Sequence, residues 1–173
     1  WGDEAGLSSN EYGGRGYAPR GEKSEVRPSE RQRCRINYIA NLSNHGSVRF
    51  MLYLCKFTAT VFIDFLQRLI QHRTAKLFWI GDRHPVHEKP EVQRWLECHS
   101  EQIELFSLPA YCPELNPVEY LNNSVKQGVH DKSPTRNLEQ LKRRVLSELH
   151  KLQKLPELIR NYFKHPSIAY AAS

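Results

Sequence analysis

The stretch Ala75-Lys76-Leu77-Phe78-Trp79-Ile80-Gly81-Asp82 is a short apolar run that stops at an acid, the pattern of a strand buried on both faces. Just upstream the period is helical. Val61, Phe62, Phe65, Leu66, Leu69 and Ile70 recur at spacings of three and four, which predicts a helix from Thr58 with one apolar face. Before that helix the period is two. Arg35–Leu42 alternates polar with apolar residues, and Ser47–Leu54 follows after the turn-like Ser43-Asn44-His45-Gly46, so a β-hairpin is expected. Downstream of Asp82 come a polar loop, a helix from Pro90 to about Ser100, and a strand over Ile103–Leu108. A proline-rich loop from Pro109 to Pro117 leads into a further helix, with Asn116 as its N-cap and Pro117 at its first position. Leu138, Leu141, Val145, Leu149 and Leu152 form the stripe of another helix, and a short one closes the chain from Pro156 to Phe163. An antiparallel start followed by strand-helix alternation gives a mixed α/β sheet with helices on both faces.

The chain's 173 residues suffice for one domain with its own core, and no apolar stretch is long enough to span a bilayer. The expected protein therefore has no membrane segment. Its first residue is Trp1, with no initiator Met and no signal-peptide pattern, so the natural start is expected to lie upstream. Cys34, Cys55, Cys98 and Cys112 form no CxxC pair, which reads as reduced thiols in a cytosolic compartment. A net charge of +6 biases the partner toward a polyanion. Much of that charge falls in the Gly-, Pro- and Ser-rich segment 13–35, with Arg15, Arg20, Lys23, Arg27, Arg31 and Arg33. This segment is expected to be a basic loop or ribbon, and both a DNA-contacting role and plain solvation stand open for it.

Phosphodiester cleavage by two divalent cations needs carboxylates from separate elements converging on one point. Three acids have that placement: Asp3 in an opening strand, Asp82 at the carboxyl end of a buried strand, and Glu119 in the first turn of a helix. Ligands of open α/β sheets bind at the carboxyl ends of strands, which singles out Asp82. Each acid also has a purely structural reading. In Asn116-x-x-Glu119 the Glu can close a capping box, and Asp3 and Asp82 can be ordinary strand-end or turn acids. Asp82, His84 and His87 also suggest zinc, but HExxH is absent and Pro85 breaks the helical spacing it needs.

Several blocks together resemble the transposases of the Tc–mariner superfamily, in particular their bacterial insertion-sequence branch. They are Trp1-Gly2-Asp3-Glu4, Tyr17-Ala18-Pro19-Arg20-Gly21, Ile80-Gly81-Asp82 and Leu108-Pro109-Ala110-Tyr111-Cys112-Pro113-Glu114-Leu115-Asn116-Pro117-Val118-Glu119. The last is similar to the family signature LPxYSPxLNPxE. The resemblance implies a ribonuclease-H-like fold, a mixed five-stranded sheet flanked by helices, with residues 1–173 forming the catalytic domain. It implies a triad of Asp3, Asp82 and Glu119 holding two Mg²⁺ or Mn²⁺ ions. Implied as well are cutting at transposon ends and strand transfer into target DNA, without a covalent enzyme intermediate. The partners would be DNA and further copies of the chain, as a homodimer or higher oligomer on DNA in a prokaryotic cytoplasm. Family members carry an upstream helix-turn-helix region, and nothing in residues 1–173 reads as that module.

Candidate DNA contacts are Arg15, Arg20, Lys126, two turns beyond Glu119, and His87, which matches a His often found shortly after the second acid. Tyr111 is a candidate for stacking on a base or for packing its own loop, and Lys142, Arg143 and Arg144 for tracking backbone or for plain solvation. The chain departs from the family pattern at Arg83 (usually Asn), Cys112 (usually Ser) and Asn122 (often Trp), and its Asp82–Glu119 interval of 37 is slightly long. Two other readings remain open: a domesticated or decayed derivative that binds DNA or a partner without cutting, and a ribonuclease-H-like nuclease acting on hybrids or junctions.

Overall fold

Three strands at the start of the chain carry the antiparallel half of the fold: β1 (Gly2–Ser8), β2 (Arg35–Leu42) and β3 (Val48–Tyr53) pair in that order. A computed structural model describes residues 1–9, 34–131 and 135–172. β4 (Leu77–Gly81) and β5 (Ile103–Ser107) pair parallel, Leu77 opposite Ile103 and Gly81 opposite Ser107. β1 lies beside β4, although among the described residues no backbone ladder joins them. All five expected strands are present, mixed in sense and flanked by helices in the ribonuclease-H-like manner. No described helix is long and apolar enough to cross a membrane. Arg15 and Arg20, with nearly all of the basic segment 13–35, lie outside the described residues; its last residue, Arg35, opens β2.

The helices begin where the sequence offers caps. In α1 (Ala59–Ile70) the Thr58 hydroxyl accepts from the Val61 N–H at 3.4 Å, and in α4 (Leu138–Gln153) the Asn137 side chain accepts from Gln140 N–H at 2.9 Å. α2 (Pro90–Cys98) and α5 (Pro156–Tyr162) start on proline, whose missing N–H costs nothing there. α3 (Val118–His130) follows a single 3-10 turn at Pro113–Leu115. Because side chains alternate along a strand, β2 feeds two cores. Ile36, Tyr38, Ala40 and Leu42 pack with α3, α4 and α5, while Ile39 joins Met51, Trp79 and Ile103 under α1 and α2.

One expectation is corrected. β4 is buried on one face only: Trp79 is 1% exposed, but Phe78 is 58% exposed and its neighbour Phe106 on β5 46%. The physical reason is the division of the helices. α1 and α2 cover one face of β4 and β5, whereas the buried stripes of α3 and α4 lie on the antiparallel strands.

Candidate active site

Asp3, Asp82 and Glu119 line a single cleft of about 390 Å³ at the carboxyl end of β4. Each arrives on a different element. Asp3 is the second residue of β1, paired across to Ala40 of β2, Asp82 is the first residue after β4, and Glu119 lies in the first turn of α3. Their relative placement is set by close backbone approaches. A Cβ on Gly2 would lie 2.3 Å from Trp79 Nε1, and one on Gly81 would lie 2.2 Å from Cη2 of the same indole. The buried Trp79 ring therefore occupies the space above both glycines, each the residue before one of the acids. Gly2→Ala should thus lower stability by about 1–3 kcal/mol through overpacking and displace Asp3 relative to Asp82. Thermal unfolding of the variant checks it, and an unchanged melting temperature would mean that the indole has room to move.

Asn116 performs the corresponding service for Glu119. It is 3% exposed; its Nδ2 donates to the Gly2 carbonyl at 3.3 Å and its Oδ1 accepts from the Val118 N–H at 3.1 Å. The start of α3 is thereby fastened to β1. The expected cap is made by Asn116, although the regular helix begins at Val118. The capping-box alternative for Glu119 is not realised: the Asn116 N–H, which that box would use, donates to the Pro113 carbonyl at 2.9 Å. Leu108, which opens the signature loop, donates its N–H to the Gly81 carbonyl at 2.7 Å.

The electrostatics are those of crowded carboxylates. Asp3 is 8% exposed, and burial, followed by the charges of Glu4, Glu119 and Asp82, pushes its carboxyl up to about 8, with the Glu4 N–H opposing. Glu4 points to the other face of β1. Burial and then the Asp82 charge raise its carboxyl to about 7, and its Oε2 is buried without a hydrogen-bond partner. Asp82 is half exposed, and its Oδ1 accepts from the His84 N–H at 3.2 Å, so the turn-forming role expected of a strand-end acid is also filled.

His87 and Lys126 do not share the cleft. His87 is 5% exposed, packed 4.4 Å from the Phe62 ring and 5.2 Å from that of Trp79, and burial lowers its pKa. Its Nδ1 lies 3.1 Å from the Asp82 carbonyl, which can only accept, so that nitrogen carries the proton. His87 therefore braces the Asp82 backbone from beneath. Lys126 is half-buried on α3 and is not among the residues that line the cleft. Arg83 does line it, and Tyr111 stands at its edge, fully exposed with a left-handed φ of 59°.

Among the described residues, three potential metal donors lie mutually within 4.8 Å in Glu4, Asp82 and His87. Asp3, Asp82 and Glu119 share the cleft without closing to that separation. The nitrogen that His87 turns toward Asp82 carries the proton, which leaves Nε2, buried without a hydrogen-bond partner, as the ring nitrogen with a free lone pair. The sequence singled out no role for Glu4, and it marked Asn122 only as a departure from the family pattern. For Glu4 the signal was available, since consecutive strand residues straddle the sheet and Asp3-Glu4 places one acid on each face.

Residues 1–142 match the family model described as DDE superfamily endonuclease. No curated protein matches the chain by sequence. The fold is similar to the catalytic domain of Mos1 mariner transposase (15% identity, TM-score 0.61, covering 99% of this chain and 81% of that one). It is similar too to the Mos1 mariner paired-end complex with Mn (15% identity, TM-score 0.64, 99% and 55%) and to the Mos1 transposase paired-end complex with left transposon end (20%, 0.57, 92% and 53%). The chain spans about half the length of the Mos1 transposase in those complexes.

Proposed function

The chain belongs to the DDE superfamily endonuclease family, and on that premise we propose that it is the catalytic domain of a Tc–mariner-type DNA transposase of the bacterial insertion-sequence branch. It would cut at transposon ends and transfer the freed 3′-hydroxyl into target DNA. The observation that carries this reading is the meeting of Asp3, Asp82 and Glu119, from three separate elements, in one cleft.

The donor set fits Mg²⁺ or Mn²⁺. The cleft offers hard carboxylate oxygens, and Asp3 is held there among like charges that a cation would offset. When bound, such ions supply activation of the attacking oxygen and stabilisation of the leaving one. The chain's own residues do the positioning. Asp3, Asp82 and Glu119 would hold the ions, His87 would keep the Asp82 turn in place, and the Arg83 guanidinium at the cleft would face a DNA phosphate. Arg15, Arg20 and Lys126 are proposed to hold flanking DNA, with two or more copies assembled on the ends, in a prokaryotic cytoplasm. The Mos1 transposase, known as a paired-end complex and as a strand transfer complex, supports the DNA-end and multi-copy parts of this reading.

Supercoiled plasmid should be nicked in Mn²⁺ or Mg²⁺ and left intact in EDTA, with duplex DNA bound with little sequence preference. Such phosphate-dominated binding should weaken on the order of a thousandfold between about 50 and 200 mM salt. Binding with no nicking in either metal would favour a non-cutting derivative, and faster digestion of RNA–DNA hybrid than of duplex would favour a ribonuclease H activity.

A further inference from the structure

α3 buries Val118, Leu121, Val125 and Val129 against the sheet, and in the same face it carries Asn122, 2% exposed. A primary amide in an apolar stripe is destabilising unless its donors and acceptor are used. Here they are used in one direction only. Tyr38 Oη donates to Asn122 Oδ1 at 2.8 Å, and Asn122 Nδ2 donates to Asp3 Oδ2 at 2.8 Å.

The orientation of the amide follows from the inventory of donors. With Asp3 ionised, as cation binding requires, its carboxylate accepts only, so the NH₂ faces Asp3 and the carbonyl oxygen faces Tyr38, whose hydroxyl donates. Flipping the amide in that state would set two oxygens against each other at Asp3. Tyr38 is fully buried on β2, on the face it shares with Asp3 of β1. The chain of contacts thus runs from the central strand, through the helix that carries Glu119, to the first acid of the cleft. We propose that Asn122, locked by Tyr38, is a positioning residue that fixes the Asp3 carboxylate for cation binding. This rests on the reading of Asp3 as a cation ligand. Oδ2 is tied to the helix, the rotation of the carboxylate is stopped, and the remaining oxygen lone pairs keep one direction relative to Asp82 and Glu119.

A purely structural role for Asn122 would affect folding but not the metal affinity of the folded protein. Mn²⁺ titration calorimetry on the whole chain, well below the melting temperature, separates the two. Asn122→Leu, close to isosteric, should weaken Mn²⁺ binding by about tenfold, the scale of one hydrogen bond to a charged group. Tyr38→Phe, which keeps the ring and removes only the lock, should weaken it a few-fold, and Asp3→Asn should abolish it. Wild-type affinity in folded Asn122→Leu overturns the inference. If that variant does not fold, wild-type affinity in Tyr38→Phe overturns it, provided Asp3→Asn has lost binding. Should Asp3→Asn itself bind Mn²⁺ like wild type, the site reading fails, and the positioning role falls with it.

Discussion

Glu119→Gln should reduce DNA cleavage by roughly a thousandfold or more while the melting temperature hardly moves. The two halves of this expectation have separate physical sources. Gln has nearly the same shape as Glu, and the first turn of α3 is closed without the Glu119 side chain. Asn116 Oδ1 accepts from the Val118 N–H, the Asn116 N–H goes to the Pro113 carbonyl, and the Glu119 N–H goes to the Asn116 carbonyl at 3.1 Å. Losing the charge there should cost no more than about 0.5 kcal/mol of stability, as for other mild substitutions away from a core or cap. In the proposed chemistry, by contrast, a neutral amide cannot replace an anionic ligand, and the loss appears in the rate. The assay is metal-dependent plasmid nicking with thermal unfolding run in parallel. Cleavage near the wild-type rate would remove Glu119 from the site; a large fall in melting temperature would show that the side chain carries structure after all.

The elements were legible because their signals are local. The switch from period two to period 3.6 between Arg35–Tyr53 and Ala59–Ile70, and the caps at Thr58 and Asn137, are set by neighbouring residues, and the structure follows them closely. The convergence of Asp3, Asp82 and Glu119 was legible for another reason: strand ends and helix starts are where an α/β sheet presents side chains to a common edge. What was not legible depends on which helix lies over which strand. The apolar run Leu77–Gly81 cannot say that the face bearing Phe78 is left open, because that is decided by where α3 and α4 pack. Likewise, Asn122 is 84 residues from Tyr38 and 119 from Asp3, so in sequence it is visible only as a departure from a family pattern. His87 was expected near the substrate or metal; packed against Phe62 and Trp79, it does not line the cleft, and its Nδ1 meets the Asp82 carbonyl.

Asp3→Asn should abolish metal binding and at the same time make the metal-free protein more stable above neutral pH. Unfolded, the Asp3 carboxyl has its ordinary pKa of 3.8; folded, burial and then the charges of Glu4, Glu119 and Asp82 raise it to about 8. The folded state thus holds a proton that the unfolded chain has released. Its contribution to stability is fully present below pH 3.8 and is lost as pH rises through that window to about 8, at a limiting slope of roughly 1.4 kcal/mol per pH unit. Glu4, raised from 4.5 to about 7, adds a loss of the same sign over its own window. Metal-free protein should therefore melt at a lower temperature at pH 8.5 than at pH 5, and Mg²⁺ or Mn²⁺ should restore much of the difference by replacing the lost proton with a cation. In Asp3→Asn the amide still accepts from Asn122 Nδ2, yet it carries no charge to desolvate. The variant should lose the Asp3 part of the pH dependence, exceed wild type in melting temperature at pH 8.5 without metal, and gain nothing from Mn²⁺. Unfolding curves at the two pH values, with and without Mn²⁺, decide the matter. A wild-type melting temperature that does not fall toward pH 8.5 would mean that the Asp3 carboxylate is stabilised by the fold itself, and a clear Mn²⁺ response in Asp3→Asn would place the cation elsewhere.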